Sequence, residues 1–284
     1  MSFEERFYRS VDGLKLYYRD YGGGSGVPAL CMHGLTRNSK DFEDLAPHLA
    51  AARRVLAADV RGRGRSERDP DYMNYHPGTY VEDMWRLMDD AGVARAVLIG
   101  TSMGGLMAMV MAAMKPERVA GMVLNDVGPE IDPAGLERIS SYAGKMPDVN
   151  TWEEAAEAIA EVNRAALPHL TPDDWMRFAR RTFREDETGR PVPDYDPAIG
   201  KALEEAGAAP ADLWSVFDAL KNVPMLVIRG ALSDILAQNT VEAMKARKPG
   251  LEVAIVPGVG HAPMLDEPEA LQALEAFLVR IDRG

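Results

Sequence analysis

The sequence contains a single cysteine, Cys31, which excludes an internal disulfide and a metal site built from cysteines. Its longest apolar run covers residues 106–114 and is far shorter than the about 20 residues that a membrane-spanning helix needs. The first residues include Glu4, Glu5 and Arg6 and no apolar segment typical of a signal peptide. We therefore expect a soluble, cytoplasmic protein that has no membrane partner.

The sequence also has fewer basic than acidic residues. The 44 acidic residues outnumber the 32 Lys and Arg residues and give a formal net charge of −12, which argues against a nucleic-acid partner. The sequence has no His-Glu-x-x-His motif, calcium loop, P-loop lysine or Gly-x-Gly-x-x-Gly motif. We therefore expect neither a metal ion nor a cofactor.

The two ends of the sequence alternate short apolar runs with helical patterns, which is typical of a parallel α/β sheet with right-handed crossovers. Residues 7–11 and 14–21 predict an antiparallel hairpin with its turn at 12–13. Continuous apolar runs predict strands that are buried on both faces, at 27–32, 54–59, 96–100, 119–125, 225–229 and 252–256. Helical patterns occupy 41–51, 79–91, 103–114, 240–247 and 268–281.

The middle of the sequence, residues 129–220, shows helical periodicity, frequent prolines and no comparable strand. This stretch also carries most of the net charge, with 19 acidic and 9 basic residues. Because the strand pattern resumes after it, we predict a helical cap at 129–220 that is inserted into an α/β core formed by 1–128 and 221–284. The acidity of the cap is best interpreted as a solvated helical surface.

The strongest functional signal is Gly100-Thr101-Ser102-Met103-Gly104, between a predicted strand and a predicted helix. A serine on such a sharp turn has a strained backbone, and glycines two residues before and after it avoid steric collisions. The turn would also point the N–H of Met103 and the positive end of the helix dipole toward the Ser102 hydroxyl. We predict that Ser102 is a nucleophile.

A serine nucleophile needs a base, and the base needs an acid that orients it. His261 lies in a glycine-containing loop after the last predicted strand, at the edge of the sheet where Ser102 is expected, and is the predicted base. Two aspartates compete for the role of the acid. Asp234 is favoured because its strand should neighbour that of His261, and Asp126, directly after the strand at 119–125, remains the alternative.

The oxyanion formed in acyl transfer needs a second N–H group besides that of Met103. The segment Cys31-Met32-His33-Gly34-Leu35 ends an early central strand, and Gly34 would let the chain turn back over the nucleophile. We predict the N–H of Leu35 as the second donor and a loop-fixing role for His33.

The motifs His33-Gly34, Asp59-x-Arg61-Gly62-x-Gly64-x-Ser66, Gly100-x-Ser102-x-Gly104, Ser233-Asp234 and Gly260-His261 together resemble the α/β-hydrolase superfamily. The resemblance implies an eight-stranded, mostly parallel sheet with helices on both faces and a helical cap after the sixth strand. It also implies Ser102 as nucleophile, Asp234 as acid, His261 as base and an oxyanion hole formed by Leu35 and Met103. Many members carry histidine at the position of Arg63.

Serine at the nucleophile position argues against dehalogenases and epoxide hydrolases of this fold, which use aspartate. The sequence looks closer to carboxylesterases, lactonases and carbon–carbon bond hydrolases of ring-cleavage products. We expect a hydrolase of a small carboxylic ester or lactone, and the alternatives are a carbon–carbon bond hydrolase or a non-catalytic ligand-binding member. A carbon–carbon bond hydrolase would need a cation for a substrate carboxylate; Arg177, Arg181 and Arg184 are candidates, although a solvated arginine surface is favoured.

Overall fold

The computed structural model describes residues 2–145, 147–206 and 213–284, and its centre is an eight-stranded sheet. The strands of this sheet are β1 (Glu4–Arg9), β2 (Lys15–Asp20), β3 (Gly26–Met32), β4 (Arg53–Asp59), β5 (Ala96–Thr101), β6 (Val119–Asn125), β9 (Met225–Gly230) and β10 (Glu252–Val256). Their order across the sheet is β1-β2-β4-β3-β5-β6-β9-β10. The pairs β1–β2 and β2–β4 are antiparallel and the other pairs are parallel, so the predicted α/β-hydrolase fold is confirmed.

The central strands are continuous apolar runs because both of their faces are buried. Every residue of β6 and of β9 is buried. In β3, alternate side chains enter two different apolar clusters. Leu30 packs into the cluster that contains side chains of the helices at 77–90 and 103–114, whereas Cys31 packs into the cluster that contains side chains of the helices at 45–49 and 268–283. The sheet therefore has helices on both faces, as the sequence predicts.

The α-helices of the described residues are α1 (Leu45–Leu49), α2 (Pro77–Asp90), α3 (Met103–Met114), α4 (Pro133–Tyr142), α5 (Trp152–Asn163), α6 (Pro172–Thr182), α7 (Ala198–Ala206), α8 (Trp214–Ala219), α9 (Gln238–Arg247) and α10 (Pro268–Arg283). Short 3-10 turns cover Ser39–Phe42, Tyr72–Asn74 and Pro116–Arg118. No helix in the described ranges is long and apolar enough to cross a membrane.

The single helix predicted at 41–51 is instead a 3-10 turn, Ser39–Phe42, followed by the short α1. Pro47 explains the division because it has no N–H that could bond to the carbonyl of Glu43 in a continuous helix. The side chain of Asn38 accepts a hydrogen bond from the N–H of Lys40 and starts the first turn.

The stretch between β6 and β9 contains α4 to α8, and its described residues contribute no strand to the eight-stranded sheet. It does contain a small antiparallel pair that the helical periodicity did not predict, β7 (Phe183–Glu185) with β8 (Pro191–Pro193). Residues 146 and 207–212 of the predicted cap lie outside the described residues. The boundaries proposed for core and cap remain a prediction.

Candidate active site

Ser102 occupies a sharp turn between β5 and α3. Its backbone φ of +52° lies in a region that residues other than glycine rarely adopt. Its N–H donates to the carbonyl of Asn125 at 3.0 Å. A Cβ at Gly100 would lie 2.2 Å from the carbonyl oxygen of Gly104, and a Cβ at Gly104 would lie 2.1 Å from the carbonyl oxygen of Met32. The two glycines therefore allow the close backbone approaches on which this turn depends.

His261 follows β10 and comes within hydrogen-bond distance of the serine. Its Nε2 lies 3.0 Å from Oγ of Ser102, and its Nδ1 lies 2.8 Å from Oδ2 of Asp126. A carboxylate only accepts, so Nδ1 carries the proton and Nε2 is the acceptor for the serine hydroxyl. This tautomer is the one in which the imidazole can remove a proton from Ser102.

Asp126 directly follows β6 and has a φ of +56°. Its side chain is fully buried, and its N–H donates to the carbonyl of Ile228 at 2.7 Å. Besides His261, the carboxylate accepts hydrogen bonds from the N–H of Gly230 at 2.9 Å and from Oγ of Ser233 at 2.6 Å. These bonds fix the carboxylate and compensate the cost of burying it.

The preference for Asp234 as the acid beside His261 is wrong. Asp234 is directed to α4, where Oδ1 and Oδ2 accept hydrogen bonds from Nη2 and Nε of Arg138 at 2.8 and 2.5 Å. Burial raises the pKa of Asp234, but the hydrogen bonds and charge of Arg138 outweigh it and hold the pKa below its ordinary value. Asp234 therefore joins α4 to the loop after β9.

The loop that carries His261 reaches Asp126 because it crosses the end of β9. Gly230 is the last residue of β9, and a Cβ there would lie 2.4 Å from the carbonyl oxygen of Gly260 and 2.5 Å from that of Val259. The N–H of Gly260 also donates to the carbonyl of Ala166 at 2.6 Å. The sequence favours Asp234 because its strand, β9, neighbours β10, the strand before His261. The His261 loop instead crosses the end of β9 and reaches Asp126, so the neighbouring strand does not supply the acid.

The turn after β3 brings Gly34 and Leu35 to the nucleophile, where both line the same cavity as Ser102. The carbonyl of Gly34 accepts hydrogen bonds from the N–H of Arg37 at 3.2 Å and from Nδ1 of His33 at 2.7 Å. A peptide group is planar and trans, so fixing this carbonyl also fixes the direction of the Leu35 N–H on the opposite side. Met103 is the first residue of α3. Its N–H belongs to the first helical turn, whose N–H groups have no hydrogen-bond partners within the helix.

His33 is wholly buried and holds this turn, which is the role expected from the sequence. The N–H of Val60 donates to its Nε2 at 3.0 Å, so the proton of the neutral ring is on Nδ1 and points to the carbonyl of Gly34. Burial is the main cause that lowers the pKa of His33 to about 4. The ring is therefore neutral at physiological pH.

A cavity of about 120 Å³ opens beside Ser102 and His261. Its apolar lining comes from both ends of the chain and from the middle: Leu35, Phe42, Ile139, Ile159, Val162, Leu167, Phe178, Ala262, Pro263, Met264 and Leu265. The polar lining includes Arg37 and Asp41, which form an ion pair with two hydrogen bonds from Nε of Arg37, at 2.9 and 3.0 Å. The described lining residues thus bring no unpaired carboxylate, ammonium or guanidinium group.

The three arginines considered for a substrate carboxylate do not line this cavity. Arg177 pairs with Asp174 on its own helix, and Nη2 of Arg181 lies 2.6 Å from Asp44. Arg184 is half-exposed, with its Nε 3.8 Å from a carboxylate oxygen of Asp194. The favoured interpretation, a solvated arginine surface, fits Arg177 and Arg184, whereas Arg181 is largely buried beside Asp44.

Comparison with known proteins decides the family. A model of the alpha/beta hydrolase fold matches residues 28–268. The chain belongs to this family. An alpha/beta hydrolase of Novosphingobium aromaticivorans has a crystal structure that is 46% identical, covers 99% of both chains and superimposes with a TM-score of 0.93.

Two relatives of the hydrolase carry names that describe a reaction. A 3-hydroxybutyrate-oligomer hydrolase of Cupriavidus necator is 35% identical over 93% of this chain and 92% of its own length. A 2-(acetamidomethylene)succinate hydrolase of Mesorhizobium japonicum is 27% identical over 90% of this chain and 89% of its own length. Both names describe a hydrolase, which supports a hydrolase as the coarse identity of this chain.

Proposed function

We propose that the chain is a serine hydrolase that cleaves small carboxylic esters or lactones through an acyl-enzyme. The observation that carries this proposal is the continuous contact from Oγ of Ser102 to Nε2 of His261, at 3.0 Å, and from Nδ1 of His261 to the carboxylate of Asp126, at 2.8 Å. A hydroxyl, an imidazole and a buried carboxylate in this order form the arrangement that activates a serine for acyl transfer.

In the proposed reaction, Ser102 gives its proton to Nε2 of His261 as its Oγ attacks the substrate carbonyl. The N–H groups of Leu35 and Met103 stabilise the negative oxygen of the tetrahedral intermediate. When the intermediate collapses, the bond to the leaving alkoxide breaks and His261 returns the proton to that oxygen. Water then attacks the acyl-enzyme with the same assistance, releases the acid and regenerates Ser102, while Asp126 holds the imidazole in its tautomer.

The cavity supports a small, uncharged acyl group. Its lining is mostly apolar, and the cation and anion in it, Arg37 and Asp41, are engaged with each other. A free acyl-side carboxylate would have to break that pair or remain without a cationic partner, at a cost of several kcal/mol. We therefore favour short, neutral acyl groups, including the 3-hydroxybutyryl group suggested by the name of the relative from Cupriavidus necator.

The same ion pair disfavours the alternative, hydrolysis of a carbon–carbon bond in a ring-cleavage product. That reaction was expected to use a cation for a substrate carboxylate, and the candidates Arg177, Arg181 and Arg184 lie away from the cavity lining. The proposal of ester cleavage thus uses the groups that are present beside Ser102 without requiring an additional cation.

A substrate panel tests the proposal. Purified enzyme and its Ser102→Ala variant are assayed with esters of acyl length two to eight, a 3-hydroxybutyryl ester, a small lactone and a vinylogous diketone. We expect kcat/KM to be highest for short neutral acyl esters and to fall by several orders of magnitude in the variant. Turnover of the diketone alone, or full ester turnover by Ser102→Ala, would contradict the proposal.

A further inference from the structure

Arg63 lies in the loop after β4 and is completely buried. Its guanidinium contacts both segments that carry the proposed oxyanion donors: Nε donates to the carbonyl of Leu35 at 2.9 Å, and Nη2 lies 3.7 Å from Sδ of Met103. Its Nη1 donates to the carbonyl of Arg61 at 2.8 Å and to the hydroxyl of Tyr80 at 3.0 Å. One side chain therefore links the turn after β3 to the start of α3.

The charge of Arg63 has no carboxylate partner among the described residues, where no Asp or Glu oxygen lies within 4.0 Å of it. Arg61, two residues earlier, forms ion pairs with three carboxylates, those of Asp12, Asp69 and Asp83. The guanidinium of Arg63 lies instead 4.8 Å from the ring centroid of Tyr80. A buried cation without a counter-ion is costly, so its retention needs a compensating interaction.

We propose that Arg63 is a positioning residue of the oxyanion hole. Its bond to the Leu35 carbonyl fixes one end of the Leu35 residue, while His33 and the N–H of Arg37 hold the Gly34 carbonyl at the other end. The two carbonyls flank the N–H that the mechanism uses, so the donor is held in its direction before the substrate arrives. A fixed donor needs no reorganisation when the oxyanion forms.

The unpaired charge adds to this effect. The guanidinium contacts the two residues that carry the donors and is surrounded by protein rather than water, so its charge acts at low dielectric and favours a negative oxygen over a neutral carbonyl. The same charge, after burial, helps to lower the pKa of His33 and keeps that ring neutral. The inference rests on the proposed acyl-transfer function, because it assigns Arg63 to the oxyanion of that reaction.

The test separates binding of the transition state from binding of the ground state. We measure kcat/KM for a short ester in wild type, Arg63→Gln and Arg63→Lys. For the same three proteins we measure the affinity for a trifluoromethyl ketone, which forms a tetrahedral adduct, and for an unreactive ether of the same shape, which does not. We expect Arg63→Gln to lose about tenfold to a hundredfold in kcat/KM and a similar factor for the ketone, with the ether unchanged. Arg63→Lys keeps the charge but not the geometry, and we expect an intermediate loss with the same selectivity.

Arg53→Gln is the control for the loss of a buried arginine. Arg53 also donates to a backbone carbonyl, that of Val27 at 2.9 Å, but it lies at the start of β4, and its charge is paired with Asp282 at 2.8 Å. We expect a lower Tm in Arg53→Gln and unchanged kinetics in its folded fraction. The inference is overturned if Arg63→Gln lowers Tm without changing the kinetics, as expected for this control, or if an Arg63 variant weakens binding of the ketone and of the ether equally. If Arg63→Gln does not fold, Arg63→Lys decides by the same criterion. Failure of wild type itself to cleave any ester would instead contradict the proposed function.

Discussion

Oδ2 of Asp126 lies 2.8 Å from Nδ1 of His261, although 135 positions separate the two residues in the chain. The contact depends on the loop after β10, which passes over the end of β9 at Gly230. It makes Asp126, directly after β6, rather than Asp234, in the loop after β9, the partner of the imidazole. The consequences of this pairing can be measured.

Substitution of Asp126 should affect catalysis far more than the same substitution of Asp234. Asp126→Asn keeps the shape of the side chain but no longer selects the tautomer with the proton on Nδ1, so we expect kcat to fall by about 10⁴. Asp234→Asn weakens the ion pair with Arg138 and leaves His261 in place, so we expect a change in kcat of less than about tenfold. Steady-state kinetics on one ester, with circular dichroism to confirm folding, decide the question; a larger loss in Asp234→Asn than in Asp126→Asn would contradict it.

Ser233 should be a positioning residue for the acid. Its Oγ donates to Oδ2 of Asp126 at 2.6 Å and accepts from the N–H of Leu236 at 3.0 Å, so it joins the carboxylate to the loop after β9. We expect Ser233→Ala to lower kcat by about tenfold to a hundredfold with little change in KM, since a charge-assisted hydrogen bond contributes roughly 1.5–3 kcal/mol. Ser233→Thr retains the hydroxyl and should recover most of kcat; equal losses in the two variants would rule out the role of the hydroxyl.

The sequence predicted much of this site because several of its requirements are local. Ser102 was identifiable from the two glycines and the strand-to-helix context around it, and His261 from its loop after the last strand. The acid was not identifiable, because Asp126 and Asp234 both follow strands at the same edge of the sheet. Only the path of the His261 loop distinguishes them. That path depends on Gly230 and on the hydrogen bond from Gly260 to Ala166, which are long-range contacts that no local pattern encodes.

The middle of the chain was less predictable for a related reason. The short pair β7–β8 contains two prolines, Pro191 and Pro193, which weaken any strand signal, and it is too short to show alternation. The role of Arg63 is not predictable from the sequence either, because its side chain bonds to the carbonyl of Leu35, 28 positions earlier in the chain.

His33 should make the stability of the fold depend on pH. Its pKa is about 4 in the folded protein, against about 6.5 in an unfolded chain, so between these values the unfolded chain binds a proton that the folded chain does not. The stability that the neutral ring contributes is therefore complete above about pH 6.5 and is lost as the pH falls toward 4, by up to roughly 3 kcal/mol.

Urea unfolding at several pH values measures this contribution. The decrease in the free energy of unfolding between pH 7 and pH 4.5 should be smaller in His33→Gln than in wild type, because the other titrating groups are common to both. An NMR titration of the histidine rings gives an independent result. A His33 resonance that titrates near pH 6.5 in the folded protein would be incompatible with the buried, neutral ring.

Gly104→Ala should destabilise the fold at the nucleophile turn. An added Cβ would lie 2.1 Å from the carbonyl oxygen of Met32, which is backbone and cannot move without disturbing β3. We expect a loss of about 3 kcal/mol or more in the free energy of unfolding. Gly250→Ala is the control, since a Cβ there meets nothing within 4 Å, and it should change stability by less than about 0.5 kcal/mol. Equal stability of the two variants would show that the close approach at Gly104 is unimportant.

Labelling with a fluorophosphonate, followed by mass spectrometry of the peptides, tests the serine mechanism most directly. The reagent reports an activated serine without requiring the natural substrate, and it separates an enzyme from a binding protein of the same fold. We expect one phosphonyl group per chain, on Ser102, with labelling slowed by orders of magnitude in His261→Gln. An unlabelled wild-type chain, or a label on another residue, would contradict it.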